Sequence, residues 1–175
     1  MGYNWYALYT FPRFEKKIYK RLTDRGIESY LPLQKKLRIW KDRKKWIEEP
    51  LLRSCVFVKA SELEYYTILN VEGVVRYVSF SGKAAIIPEW QIQAMQKLID
   101  TDCEITISSK DFKPGTSIRI ISGILAGFEG ELISCMGKKR VLIRISQIAR
   151  SIVVTLPLTD LEIAESTKKK SVLLK

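Results

Sequence analysis

Along residues 1–100 the apolar positions switch between a period of two and a period near 3.6. Beyond residue 113 they keep to a period of two. Trp5-Tyr6-Ala7-Leu8-Tyr9 predicts an opening strand. Pro12 suits the first turn of a helix, Phe14, Ile18 and Leu22 extend it at i, i+4, i+8, and Gly26 ends it. From Ile27 to Trp40 the chain reads as extended, with Leu37 and Ile39 alternating with Lys36, Arg38 and Trp40 and with Pro32 placing its start at an edge. Trp46-Ile47 brings it back as a β-hairpin arm. The run Pro50–Val58 is nearly free of charge, and Val56-Phe57-Val58 has no polar residue inside it. It predicts a strand buried on both faces, on which the preceding elements pair or pack. Glu62 to Asn70 reads as a short helix through Leu63, Tyr66 and Leu69, Val74 to Phe80 as a strand, Ser81-Gly82 as a turn. Ala84 to Pro88 leads into a helix over Glu89–Ile99. The order β-α-β-β-α-β-α fits an α+β domain over residues 1–100 with a mostly antiparallel sheet.

Residues 101–113 are polar and read as a linker. After them come four short strands at even spacing, around Ile118–Ile121, Gly130–Ile133, Val141–Ile145 and Ile152–Leu156. Gly137-Lys138 is a tight turn, and Leu161-Glu162-Ile163 is a candidate fifth strand. That grammar predicts a small all-β barrel over residues 114–164, with residues 165–175 as a basic tail.

Charge separates these parts. The whole chain carries +11, yet residues 1–100 hold 18 lysines and arginines against 11 acids, while residues 101–167 hold 8 against 8. The positive field therefore belongs to the first domain and the tail, which points to a polyanionic partner there; a basic surface kept for solubility is the alternative. Two clusters stand out. Arg13, Lys16, Lys17, Lys20 and Arg21 share one arc of the first helix. Residues 35–45 hold seven cations and one anion, and Trp40 and Trp46 bracket the tip that carries Lys41, Arg43, Lys44 and Lys45. Cations interleaved with aromatics suit a nucleic-acid backbone with unpaired bases. Lysines also protect sheet edges, a role that does not call for two tryptophans.

Catalytic chemistry has little support in the sequence. There is no histidine, which removes the commonest general base and histidine-based zinc sites, and no phosphate-cradling glycine loop. Cys55, Cys103 and Cys135 are too far apart for a metal motif, and a Cys55 nucleophile lacks a base. The expectation is a cytoplasmic protein, not an enzyme, with no cofactor, no metal and no membrane span.

Three blocks resemble the NusG family of transcription elongation factors. They are Trp5–Tyr9 through Phe14-Glu15, then Glu49-Pro50-Leu51-Leu52 ending in Cys55–Val58, and Lys113-Pro114-Gly115 through Gly123-Ile124-Leu125-Ala126-Gly127-Phe128-Glu129-Gly130. The resemblance spans residues 4 to 164. It implies an NGN-like antiparallel sheet with flanking helices followed by a KOW (SH3-like) barrel, whose motif falls on Gly123, Gly127, Phe128 and Gly130. The basic hairpin and Ala85-Ile86-Ile87-Pro88 are more similar to the specialised RfaH- and UpxY-type antiterminators of surface-polysaccharide operons. By resemblance, Tyr9, Leu52, Cys55, Tyr77 and Phe80 line an apolar concavity that docks the clamp of core RNA polymerase. Tyr65, Tyr66 and Thr67 make a second polymerase contact, and the DNA-reading surface falls near the first helix, at Lys17, Lys20 and Arg21. The arm is expected, from its own cations and tryptophans, to lie along the same non-template DNA. Where the family usually has Pro-Gly-Tyr or Pro-Asn-Tyr, this chain has Arg53-Ser54-Cys55. The KOW barrel is expected to recruit a ribosomal protein or a termination factor, and the chain to act as a monomer. The alternative is a ribosome- or translation-associated KOW protein that binds RNA.

Overall fold

A computed structural model describes residues 2–39, 42–80, 82–99, 105–108, 115–122, 126–135, 138–145, 150–154 and 161–163. At its centre is an antiparallel sheet in which β1 (Asn4–Thr10) pairs with β5 (Cys55–Ala60). β2 (Ser29–Tyr30) continues on the far side of β5, and β6 (Val74–Tyr77) and β9 (Ile86–Ile87) lie along the other edge of β1. The register sets Tyr9 opposite Cys55 and Ala7 opposite Phe57. With a side-chain period of two, Trp5, Ala7, Cys55 and Phe57 face one way and Leu8, Val56 and Val58 the other. All of these are buried, so the sheet is covered on both faces, as the charge-free run predicts. That run is not one strand, however. Pro50 ends the preceding strand, residues 51–54 turn, and the buried strand begins only at Cys55.

Two helices cover the Leu8 face. α1 (Glu15–Asp24) buries Ile18 and Leu22, and α2 (Tyr65–Leu69), preceded by a 3₁₀ turn at Glu62–Glu64, buries Ile68. Ser61 and Glu64 form a capping box there, with the Glu64 carboxylate accepting from the Ser61 N–H at 2.9 Å. α3 (Glu89–Ile99), at the bounds expected from its periodicity, packs Ile92, Met95 and Leu98 into the cluster on the Phe57 face. The expected single strand Val74–Phe80 is broken after Tyr77. β7 (Ser79–Phe80) pairs with β8 (Lys83–Ala84) as a small separate ribbon.

Among the described residues β3 (Leu33–Ile39) and β4 (Lys44–Pro50) pair only with each other, and they form the expected arm. The remaining strands are β10 (Ile105–Ser108), β11 (Thr116–Ile120), β12 (Glu129–Cys135), β13 (Lys138–Ile145), β14 (Arg150–Val154) and β15 (Leu161–Ile163). They make a six-stranded antiparallel sheet in the order β10-β14-β13-β12-β11-β15. The stretch read as a linker thus contributes a strand, β10, whose Ile105 lies opposite Val154. Gly137 of the expected turn is outside the described residues, Lys138 opens β13, and residues 165–175 are also outside them.

Two glycines of the second sheet have positional reasons. Gly127 sits at φ 87°, and its N–H donates to the Ile120 carbonyl at 2.7 Å, while the Ile120 N–H donates to the Phe128 carbonyl at 2.9 Å. A Cβ on Gly115 would run into the Leu132 carbonyl. Gly130 lies in β12, opposite Ile118, and Gly123 is outside the described residues. Ile118, Ile120, Val141, Ile152 and Val154 belong to the same apolar cluster as Phe57, Leu52 and α3. Phe128 is the visible link: the Trp90 ring is 6.5 Å away and Lys97 Nζ stands 5.0 Å over its ring.

Candidate functional site

The arm and α1 meet along a groove. β3 and β4 pair from Leu33↔Pro50 to Ile39↔Lys44, so Leu37, Ile39 and Trp46 share one face and Lys36, Arg38 and Lys45 the other. On the first face the Trp46 ring is 66% exposed, directly across from Leu37. A recess of about 580 Å³ runs between the arm and the start of α1. It is lined by Arg13 and Lys16, by Arg38 and Glu49 of the arm, and by Arg53 and Ser54 of the turn. A shallower one of about 560 Å³ continues past Lys16 to Lys35, Lys45, Trp46 and Glu48. Lys16 lines both.

Both acids of the deeper recess are engaged. Glu15 is buried, and its carboxylate accepts the Ser54 N–H at 2.7 Å. Glu49 accepts two bonds from Arg38, at 2.7 and 3.2 Å. The Arg38 hydrogen bond holds the Glu49 carboxyl below the usual carboxylate range against some desolvation, and the charges of Arg38, Lys36 and Arg53 add to it. Among the described residues no carboxylate forms an ion pair with Arg13, Lys16 or Arg53. Three unpaired cations around one concavity create the local positive potential that attracts an anion.

Backbone strain collects in the same place. Arg13 at φ 69° and Ser54 at φ 55° are the two non-glycine residues with positive φ among those described, and both line the recess. A left-handed residue costs about 1–2 kcal/mol. At Ser54 the conformation is fixed from two sides, by Glu15 on its N–H and by the Thr10 N–H on its carbonyl at 3.1 Å. Glycine or asparagine would adopt this conformation at lower cost, since both tolerate positive φ. Here the brace from Glu15 holds a serine there and sets Arg53 at the mouth of the groove.

The other cations expected to face DNA divide. Lys17 and Lys20 are exposed on α1, with Lys17 Nζ 4.9 Å over the Phe14 ring. Arg21 is committed elsewhere: it donates to the Glu72 carboxylate at 2.6 Å and to the Glu72 carbonyl at 2.7 Å, tying α1 to the turn before β6. Arg43, Lys44 and Lys45 are exposed near the arm's tip, and Trp40 and Lys41 lie outside the described residues. Sequence reasoning missed Lys35, Arg38 and Arg53. The first two sat in the counted basic run, and Arg53 stood out only as a departure from the usual residues of its block.

The five residues expected to line one apolar concavity do not sit together on the surface. Tyr9, Leu52 and Cys55 belong to the Phe57 side, but Leu52 and Cys55 are only 2% and 5% exposed. Tyr9 is partly buried, with the Arg76 guanidinium 4.9 Å over its ring. Phe80, on the small ribbon, is 77% exposed. Tyr77 is buried on the opposite face and belongs to a ladder of tyrosines. Its ring meets Tyr6 edge-on at 5.7 Å and stacks on Tyr65 at 4.4 Å, and Tyr65 meets Tyr66 edge-on at 5.2 Å. The ladder ends at Tyr66, which is 73% exposed beside the exposed Thr67. Burial pushes the Tyr77 phenol well above its ordinary range, helped by Tyr65, Tyr6 and Glu64. Tyr77 therefore supports the Tyr65-Tyr66-Thr67 surface rather than the Tyr9 side.

No group of acids and cysteines among the described residues could hold a metal ion, and no helix among them is long and apolar enough to cross a membrane. No curated protein matches the chain. Among solved structures, one titled "Domain interaction in Thermotoga maritima NusG" is 21% identical, covers 94% of this chain and 99% of its own, and superposes with a TM-score of 0.55. That likeness is one of fold. A second, titled "Crystal Structure of MjSpt4:Spt5 complex conformation B", is 16% identical and covers 92% of this chain and 97% of its own at a TM-score of 0.32, too low to carry an argument. The family model described as transcription termination factor nusG matches residues 3–96, from β1 through most of α3. More than half of the chain lies within that match, and the protein belongs to the NusG family, whose members are non-enzymatic transcription factors.

Proposed function

We propose that this protein is a cytoplasmic transcription elongation factor of the RfaH- and UpxY-like branch. It acts as a monomer on core RNA polymerase and suppresses pausing or termination along a long surface-polysaccharide operon. The observation that carries the reading is the family match over residues 3–96 around a domain whose solvent face bears a cationic arm and groove. Two exposed points supply polymerase contact, Phe80 on its ribbon and Tyr66 with Thr67 at the end of the tyrosine ladder, with the partly buried Tyr9 of β1 as a further contact. Leu52, Cys55 and Tyr77 act from beneath, as the packed floor that fixes them. Non-template DNA lies against the cations of α1 and the arm. The second sheet is a KOW barrel that recruits a ribosomal protein or a termination factor.

Burying a phenylalanine side chain at an interface contributes about 1.5–3 kcal/mol. Phe80→Asp is therefore expected to weaken association with purified core polymerase by at least tenfold while its circular dichroism stays that of the wild type. The same variant loses read-through of a terminator in a reconstituted elongation assay. Unchanged polymerase affinity removes Phe80 from the dock, and wild-type protein that fails to associate with core polymerase refutes the reading as a whole.

A further inference from the structure

We propose that the outward face of the arm, with a recess at its foot, docks an amphipathic segment of a partner protein, apolar along one side and acidic at its margins. This goes beyond the polymerase and DNA contacts proposed above and does not depend on them.

The register divides the arm into two unlike faces. Arg38 and Glu49, which line the deeper groove, lie on one face with Ile47, and Leu33, Leu37, Ile39 and Trp46 lie on the other. The groove side is partly covered: Gln34, Ile47 and Glu49 are half-buried. On the outward face Leu37, Ile39 and Trp46 are exposed, Ile39 as much as Trp46. The fold makes no use of their apolar area, and contiguous exposed apolar surface marks an interaction site. The strip also continues beyond the arm. Leu33, at its foot, lines a recess of about 290 Å³ with Tyr30, Leu31, Gln96 and Ile99, where the chain between β2 and β3 passes the end of α3.

Chemistry selects the occupant. Leu37 and Ile39 offer a nucleic acid neither charge for its phosphates nor a ring for its bases. A bilayer is flat: it meets the tip of a projecting arm but does not enter a recess at its foot, and Glu48, on the same face, is repelled by anionic headgroups. A second copy of the arm sets one group of cations against another. A protein segment covers the aliphatic strip, places a side chain in the recess and brings carboxylates to the margins. Lys35 and Lys44 stand on the same face to receive them, and among the described residues neither forms an ion pair. The strip from Leu33 to Ile39 is about 20 Å long at the rise of a strand. About 13 residues of α-helix cover that length, with apolar anchors at i, i+4, i+7 and i+11.

The test measures fluorescence anisotropy of a labelled synthetic peptide of about 14 residues with the full chain, its leucines on one helical face and its glutamates at the margins. A peptide with lysine in place of every glutamate and vesicles of phosphatidylglycerol with phosphatidylcholine are run beside it. The acidic peptide is expected to bind in the micromolar range, and the lysine peptide at least about tenfold more weakly. Leu37→Asp with Ile39→Asp should weaken the acidic peptide about tenfold or more. Circular dichroism and the urea midpoint should stay those of the wild type, because neither side chain is packed. Lys35→Gln with Lys44→Gln should weaken the peptide about threefold and reduce the fall of its affinity with salt. Arg13→Gln with Arg53→Gln, in the groove on the other side, should leave peptide affinity unchanged, which separates this face from the DNA contact. Equal affinity for the two peptides, or wild-type affinity in the Leu37→Asp, Ile39→Asp variant, overturns the proposal. Vesicles that bind through Leu37 and Ile39 while the acidic peptide does not overturn it in favour of a lipid surface. A dimer in sedimentation that dissociates in that same variant overturns it in favour of a second copy.

Discussion

β1 with β5 and β3 with β4 are two antiparallel pairs of similar length, and the environment treats them oppositely. Six residue pairs join β1 to β5, and every residue of β5 except Lys59 is buried. Seven pairs join β3 to β4, and none of their residues is buried. The first ribbon carries apolar side chains at consecutive positions, the second at alternate ones. In the first, Phe57 and Val56 point into two separate cores; in the second, Leu37, Ile39 and Trp46 point into water. The hydrophobic effect is proportional to area removed from water, so the first pair stabilises the fold and the second adds almost nothing to it. A two-stranded ribbon without a covered face is marginal by itself. The arm's apolar and cationic residues are therefore better explained by a partner than by folding.

The sharpest way to break this contrast is to truncate a side chain in each pair and compare unfolding in urea. Phe57→Ala should destabilise the protein by about 3–5 kcal/mol, because the ring is fully buried and leaves a cavity. A change below about 1 kcal/mol would mean that the central sheet is not the core. The junction between the two regions comes next. Glu15→Ala orphans the Ser54 N–H and removes the brace on the turn that joins the arm to β5, at a cost of about 1–3 kcal/mol. Glu15→Gln, which still offers an acceptor, should recover much of it.

A smaller effect appears in alkali. The Tyr77 phenol titrates higher in the folded chain than in the unfolded one. Above about pH 10 the unfolded chain releases this proton while the folded chain keeps it, so the contribution to stability is full below that pH and falls as pH rises further. Tyr77→Phe should flatten the alkaline fall in urea midpoint, and an unchanged slope would deny the tyrosine ladder this role. The smallest effect belongs to the arm: Trp46→Ala should shift stability by no more than about 0.5 kcal/mol. A shift comparable to that of Phe57→Ala would make the arm part of the fold and erase the contrast.

The sequence announces these two ribbons unequally well. β1, α1 and α3 are legible because each keeps one period for its full length. The strands of the second sheet are legible from β-branched residues between turns. β10 hides inside a polar segment, although Ile105-Thr106-Ile107-Ser108 does alternate; composition over the longer window masks a strand of four residues. The turn at 51–54 is masked by Leu51 and Leu52, because a turn residue can be as buried as a strand residue, as Leu52 is. At the site, the cations are legible one by one but the groove is not. Arg13, Arg38 and Arg53 are far apart along the chain and converge only because α1, the arm and the turn meet around the Glu15–Ser54 bond. Arg21 illustrates the reverse: it has the right helical phase, and a distant glutamate engages it.

The base of the arm closes on itself. Leu33 pairs with Pro50, and immediately outside that pair the Leu51 N–H donates to the Pro32 carbonyl at 2.7 Å. The chain thus leaves the domain and returns to it at one point, and among the described residues β3 and β4 pair with no other strand. Such an element behaves as a cassette. It can be shortened, lengthened or exchanged with little demand on the sheet beneath, so its sequence is free to drift at a different tempo from β1 and β5. Grafting it between proteins of this architecture would carry its cations and Trp46 along as one unit, without the fold being redesigned.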